Sequence, residues 1–149
     1  MASSRAVRLA PVVDMAEKAE RAAAQRLGHF QGQVKLAETK LAELERFRHE
    51  YQLQWIDKGG SGVSGQWLIN YQSFLNQLET AVAQQQKSLA WHQENLGKAR
   101  GGWQQCYARV EGLRKLVQRY IDEARQLEDK REQKLLDELS QRLPRHDQF

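Results

Sequence analysis

The feature that most constrains this chain is an apolar stripe at alternating three- and four-residue spacing, which begins at Val13. It runs through Ala16, Glu20, Ala23, Leu27, Phe30, Val34, Ala37, Leu41, Leu44, Arg48, Tyr51 and Trp55, with eleven of the thirteen positions apolar. Heptads kept over six repeats impose a supercoil and need a second helix to bury the seam. The stripe stops at Asp57-Lys58-Gly59-Gly60-Ser61-Gly62-Val63-Ser64-Gly65, where four glycines within seven residues remove helix propensity and permit a reversal. A second stripe then follows: Leu68, Tyr71, Leu75, Leu78, Val82, Gln85, Leu89, His92, Leu96, Ala99, Trp103, Cys106, Val110, Leu113, Val117, Tyr120, Ala124 and Leu127. The fold expected is all-α, two long helices in an antiparallel coiled coil, with the whole of residues 1–149 read as one domain.

The scarcity of β-formers agrees: there are only two Thr, while Ala, Leu, Gln, Glu, Lys and Arg fill most of the chain. Helix one is expected from about residue 10 to 57, with Pro11 in its first turn, where a missing N–H costs nothing. Helix two is expected from about residue 64, capped by Ser64 or Ser61, to about 143, where Pro144 ends it. After Leu127 the phase slips, and Leu135, Leu136, Leu139 and Leu143 continue on a stripe of their own. Gly97, Gly101, Gly102 and Gly112 lie within helix two, each costing about 1 kcal/mol relative to Ala, and the Gly101-Gly102 pair marks a place for a bend or a close contact.

At 1.5 Å per residue the first helix rises ~70 Å and the second ~120 Å. Folded back from a tip near residue 60, Val13 is expected opposite a residue near 108, leaving a C-terminal overhang of about 30 residues. Val117, Tyr120, Ile121, Ala124 and Leu127 are then expected to lack a partner within the chain, and an exposed apolar stripe marks an interface.

The net charge of +4 raises the question of nucleic acid. Residues 1–50 carry nine Lys/Arg against seven Asp/Glu, residues 51–111 five against four, and residues 112–143 eight against seven. Such interspersion fits solvated coiled-coil faces, so a basic nucleic-acid-binding coiled coil is kept only as the alternative of a different class. The single cysteine, Cys106, has no partner for an intramolecular disulfide, no apolar run approaches the ~20 residues of a membrane span, and MASSRAVRLAPVV lacks a signal-peptide core. A cytoplasmic protein without direct membrane insertion is expected.

Catalysis needs polar groups converging in a pocket that excludes water, and a two-helix seam offers none, so no enzyme activity, cofactor or metal is expected. His29, His49, His92 and His146 show no metal-ligand spacing; only His92 falls on the seam, as a hydrogen-bonded core residue. The glycine-rich tip is followed by no Gly-Lys-Ser/Thr, which removes a phosphate loop. Of the four tryptophans, Trp55 and Trp67 flank the tip, and Trp91 falls off the seam as a partner-binding candidate.

Beyond these periodicities, the segment Gly62-Val63-Ser64-Gly65-Gln66-Trp67-Leu68-Ile69-Asn70-Tyr71-Gln72-Ser73-Phe74, followed by Leu78-Glu79-Thr80-Ala81-Val82, resembles FliJ, the small coiled-coil component of the bacterial flagellar type III export apparatus. The resemblance extends to residues 9–24 and to the run Asp129-Lys130-Arg131-Glu132-Gln133-Lys134 with Asp137-Glu138 and Gln141-Arg142. It implies a central stalk of the flagellar export ATPase hexamer, similar in build to the two-helix part of the rotary ATP synthase gamma subunit. Such a stalk promotes ring assembly and activity, serves flagellum assembly and motility, and sits peripherally at the inner face of the cell membrane. Ring contact is then expected at Leu113, Val117, Tyr120, Ile121, Ala124 and Leu127. The resemblance further implies that the export-gate protein FlhA is bound by Lys40, Leu44, Phe47 and Tyr51 of the first helix and Phe74, Leu78, Ala81 and Gln85 of the second. It also implies a general export chaperone that escorts substrate-specific export chaperones. Lys40, Phe47 and Gln85 stand where the family site can carry Gln, Tyr and His. The equivalent stalk of a virulence-type secretion system is the near alternative.

Overall fold

A computed structural model of the chain describes residues 4–143. It contains two helices, α1 (Ser4–Gly59) and α2 (Gly65–Arg142), packed against each other with no strand among the described residues. They form the expected antiparallel hairpin. All thirteen positions of the α1 stripe are buried or half-buried, and so are those of the α2 stripe except at its two ends, Leu68 and Leu127. The heptad pattern is therefore the packing interface itself. Its most covered members are Val82 at 2% exposure, Ala37 and Val110 at 4%, and Ala16 and Tyr71 at 5%. No polar or charged residue is buried among the described ones, as expected where a single seam is the whole interior.

The turn is built by short-range hydrogen bonds. Ser61 N–H and Oγ–H both donate to the Lys58 carbonyl, at 3.2 and 3.0 Å, closing the end of α1. Gly62 takes φ +83°, a left-handed conformation that a side chain rarely adopts. Ser64 then caps α2, its Oγ accepting from Trp67 N–H at 3.1 Å. Over the turn, Trp55 stacks on Trp67 with centroids 5.7 Å apart, and the Lys58 ammonium lies 5.8 Å from the Trp67 ring.

The chain packs as two units. The first comprises residues 22–104 and includes the turn. The register there is set by Tyr71, whose hydroxyl donates to the Tyr51 carbonyl at 3.4 Å, and by Gln85, whose Nε2 donates to the Ala37 carbonyl at 3.2 Å. The second unit joins, among the described residues, 4–21 to 105–143, and within it Arg114 pairs with Glu17 at 3.4 Å.

The second unit corrects the expected overhang. Helix α1 begins at Ser4, six residues before the expected start, so Pro11 lies inside the helix. A helix-interior proline costs about 3 kcal/mol through its lost N–H bond and its clash with the preceding turn. The extra turns exist because they are packed: Ala6, Leu9, Val12 and Val13 are half-buried, prolonging the seam toward the N-terminus. Val13 accordingly lies alongside Arg114 and Val117, not near residue 108. Arg5 sits over the Tyr120 ring at 5.4 Å, and Ser4 and Arg5 share a shallow groove with Ala124 and Leu127. Val117, Tyr120, Ile121 and Ala124 are thus half-covered, contrary to the expectation that they lack a partner within the chain. The overhang is real but begins after Leu127, where every residue through Leu143 is exposed.

Helix α2 passes through Gly97, Gly101, Gly102 and Gly112 without interruption. A Cβ built on any of them meets no atom within 4 Å, so none is there to admit a close contact. His92 also departs from expectation: it is half-buried on the seam, but its Nδ1 is buried without a protein hydrogen-bond partner.

Candidate functional site: exposed faces of a helix pair

Two sets of residues stand out as surfaces a partner would meet. The first lies in the unit of residues 22–104. Lys40, Leu44, Phe47 and Gln85 line one shallow groove together with Glu43 and Arg46, so four of the eight residues expected at the gate face are brought together. The spacing 40, 44, 47 places three of them on one face of α1, and Gln85 reaches them across the seam because its amide is held on the Ala37 carbonyl.

Tyr51 and Phe74 form a second cluster on the turn side. The Phe74 ring meets Tyr51 edge-on at 4.7 Å and 61°, and Tyr51 stacks on Tyr71 at 4.7 Å and 6°. Tyr71 in turn stacks on Trp55 and Trp67, at 5.0 and 5.3 Å. This ladder of rings fixes Phe74 without burying it. Phe47 and Phe74 keep 56% and 41% exposure, whereas Leu78 at 8% is interior packing. Ala81 is half-buried and borders a separate depression with Ser73, Gln77 and Thr80. Burial of Tyr71, with the neighbouring Tyr51 adding to it, pushes the Tyr71 phenol above its ordinary value of 10.0.

The second surface lies at the C-terminal end of α2. Of the six residues expected to contact a ring, Leu113, Val117, Tyr120, Ile121 and Ala124 are half-buried, and only Leu127 is largely exposed, at 62%. Beyond it Leu135, Leu136, Leu139 and Leu143 are 57%, 65%, 47% and 68% exposed. These four leucines fall outside the six-residue set. The phase slip after Leu127 was their signal, because a stripe that leaves the seam's register leaves the seam.

The turn adds exposed apolar side chains that the periodicity does not single out: Leu53, Ile56, Val63 and Ile69, at 47%, 67%, 39% and 63% exposure. Each sits off the stripe, so no spacing argument reaches it. Trp91 is off the seam as expected, at 59% exposure, its ring edge-on to His92 at 5.0 Å. Among the described residues, no three His, Cys, Asp or Glu side chains gather as a metal would require, and no described helix is long and apolar enough to cross a membrane. What the surfaces provide is apolar and aromatic contact area on rigid helices, the chemistry of protein recognition.

Comparison with known proteins shows the family of this helix pair. The family described as "Flagellar FliJ protein" matches residues 4–148. A flagellar FliJ protein of Escherichia coli (strain K12) is 30% identical over 134 residues, covering 90% of this chain and 91% of the relative. A flagellar FliJ protein of Salmonella typhi is 30% identical over 129 residues, covering 87% and 88%. With near end-to-end coverage and a matching helical hairpin, the chain belongs to the flagellar FliJ protein family.

Proposed function

We propose that this component of the flagellar protein-export apparatus is the central stalk of the export ATPase ring, that it promotes ring assembly and hydrolysis, and that it binds the export gate and returns export chaperones to it. The observation that carries the reading is the leucine stripe at 135, 136, 139 and 143, exposed on a helix that continues past the last residue covered by α1. A soluble helix that displays such a stripe is stabilised by a partner, and a ring lumen would enclose it from every side. The packed segment beside it, residues 4–13 against 113–127, stiffens the base from which the stripe projects. The flagellar reading is preferred to a virulence-type stalk because both relatives carry flagellar names.

Hydrolysis by the flagellar export ATPase, measured with and without the chain, tests the stalk role. Stimulation by the native chain, lost in the Leu135→Ser/Leu139→Ser double variant at unchanged helicity, is the expected outcome. Absence of stimulation by the native chain would refute the assignment. These positions are better probes than Val117 or Tyr120, whose substitution would also disturb the packing on α1. For the gate face, Phe74→Ala is expected to weaken FlhA binding more than it lowers helicity. Parallel losses would make Phe74 purely structural.

A further inference from the structure

Along the sequence, positive and negative residues alternate without a basic block. Helix pairing changes this, because it sets two acid-poor stretches side by side within the unit of residues 22–104. Residues 22–37 hold Arg26 and Lys35 and no carboxylate; residues 80–104 hold Lys87, Lys98 and Arg100 against the single Glu94. The Gln85 to Ala37 hydrogen bond joins the two stretches. Five cations against one anion equal the whole net charge of +4, leaving eighteen of each sign in the rest of the chain. All five cations are exposed, and among the described residues Lys35, Lys87 and Arg100 have no carboxylate at ion-pair distance. Glu94 is engaged by Lys98 at 3.6 Å.

On α2 the positions 87, 91, 94 and 98 recur at helical spacing and share the face away from the seam residues Leu89, His92, Leu96 and Ala99. That face presents Lys87 and Lys98 on either side of Trp91, a ring with 59% of its surface in solvent. We infer that the outer face of α2 around Trp91 is a docking surface for an acidic helical segment of a partner protein, which would lay its carboxylates along Lys87 and Lys98 and an apolar side chain on the indole.

The charge density selects among anionic partners. Lys87 and Lys98 are eleven residues apart, so their Cα atoms are separated by about 16 Å along the axis. Duplex DNA carries a charge every ~1.7 Å and is held by dense phosphate contacts, which two cations at this spacing do not supply. A membrane surface would call for a cluster of basic residues together with several apolar anchors, and this face offers one indole. Glutamates recurring every few turns of a helix match the spacing, and a tryptophan is the kind of anchor on which helical interfaces concentrate their energy. Glu94 would repel a carboxylate placed opposite it and so restrict the register of the incoming helix.

The test is fluorescence anisotropy of the full chain with a labelled Glu-rich helical peptide carrying one leucine. Duplex DNA and phosphatidylcholine–phosphatidylglycerol vesicles serve as the competing probes. Binding is expected to weaken as salt rises, to fall about tenfold in Lys87→Glu/Lys98→Glu and several-fold in Trp91→Ala, and to strengthen in Glu94→Gln. The neutral pair Lys87→Gln/Lys98→Gln, which removes the charge without reversing it, should fall between native and reversed forms and guards against a folding defect. Stimulation of the export ATPase is expected to survive these substitutions, so failure here is distinguishable from failure of the stalk reading. The inference is overturned if a Gln-for-Glu peptide binds equally well, if charge reversal leaves affinity unchanged, or if DNA or the vesicles bind more tightly than the peptide.

Discussion

Replacing Tyr71 by alanine should be among the most damaging single changes available in this chain. Its ring is 5% exposed and stacked against Tyr51, Trp55 and Trp67, all within 5.3 Å between centroids. Burying an aromatic side chain removes roughly 150–250 Å2 from water, worth about 4–6 kcal/mol at ~25 cal/mol per Å2. The neighbouring rings are only half-buried and are free to close part of the gap. That relaxation, with the retained alanine methyl, lowers the expected loss to about 3 kcal/mol, the lower end of the range for aromatic truncations. Tyr71→Phe keeps every ring contact and removes only the 3.4 Å bond to the Tyr51 carbonyl, long enough that its loss should cost about 0.5 kcal/mol. Phe47→Ala, at a 56% exposed position, should cost no more than about 0.5 kcal/mol. Urea unfolding followed by far-UV circular dichroism and tryptophan fluorescence reads all three. A Tyr71→Ala loss under about 1 kcal/mol, or equal losses for the Ala and Phe variants, would refute the argument that ring stacking holds the turn end together.

The raised phenol of Tyr71 also predicts alkaline sensitivity. The unfolded chain releases that proton near pH 10 while the folded chain retains it, so stability is full below pH 10 and falls as pH climbs from there toward the folded value; Tyr71→Phe should flatten this decline in urea midpoints taken across that window. Gly102→Ala, in an exposed helix interior where an added Cβ meets nothing, should stabilise the chain by about 1 kcal/mol in the same assay, and destabilisation would show that the glycine serves a second conformation. Ending the chain after Glu128 should leave the urea midpoint within error of the native value, because every described residue it removes is exposed, yet should abolish stimulation of the export ATPase.

Much of this architecture was legible before any coordinates. Heptad spacing is a local property, and a stripe from Val13 to Trp55 admits few solutions other than a helix with a partner along its length. The glycine-rich turn, the Ser64 cap and the interior place of Tyr71, Val82 and Ala99 follow from residue type and period alone. The start of α1 escapes the sequence pattern because Pro11 is a local stop signal, and the packing that outweighs it, Ala6 and Ala10 beside residues more than a hundred positions away, is not local. The seam in fact continues backward through Leu9 and Ala6 at the same spacing.

The candidate sites divide along the same line. The sequence by itself determined that two helices would pair, which side chains their seam would take in, and that Phe47 and Phe74 would stand beside it, because helical periodicity assigns each residue a direction. Only the tertiary structure decided that Val117, Tyr120 and Ala124 are covered by the first turns of α1, so that the exposed stripe starts with Leu127 and the leucines from 135 onward. It also decided that a chain with interspersed charges carries its entire excess on one paired stretch. Both depend on which distant residues are set side by side. Antiparallel pairing fixes that through the length of each helix and the position of the turn, and neither is written in any single window of the sequence.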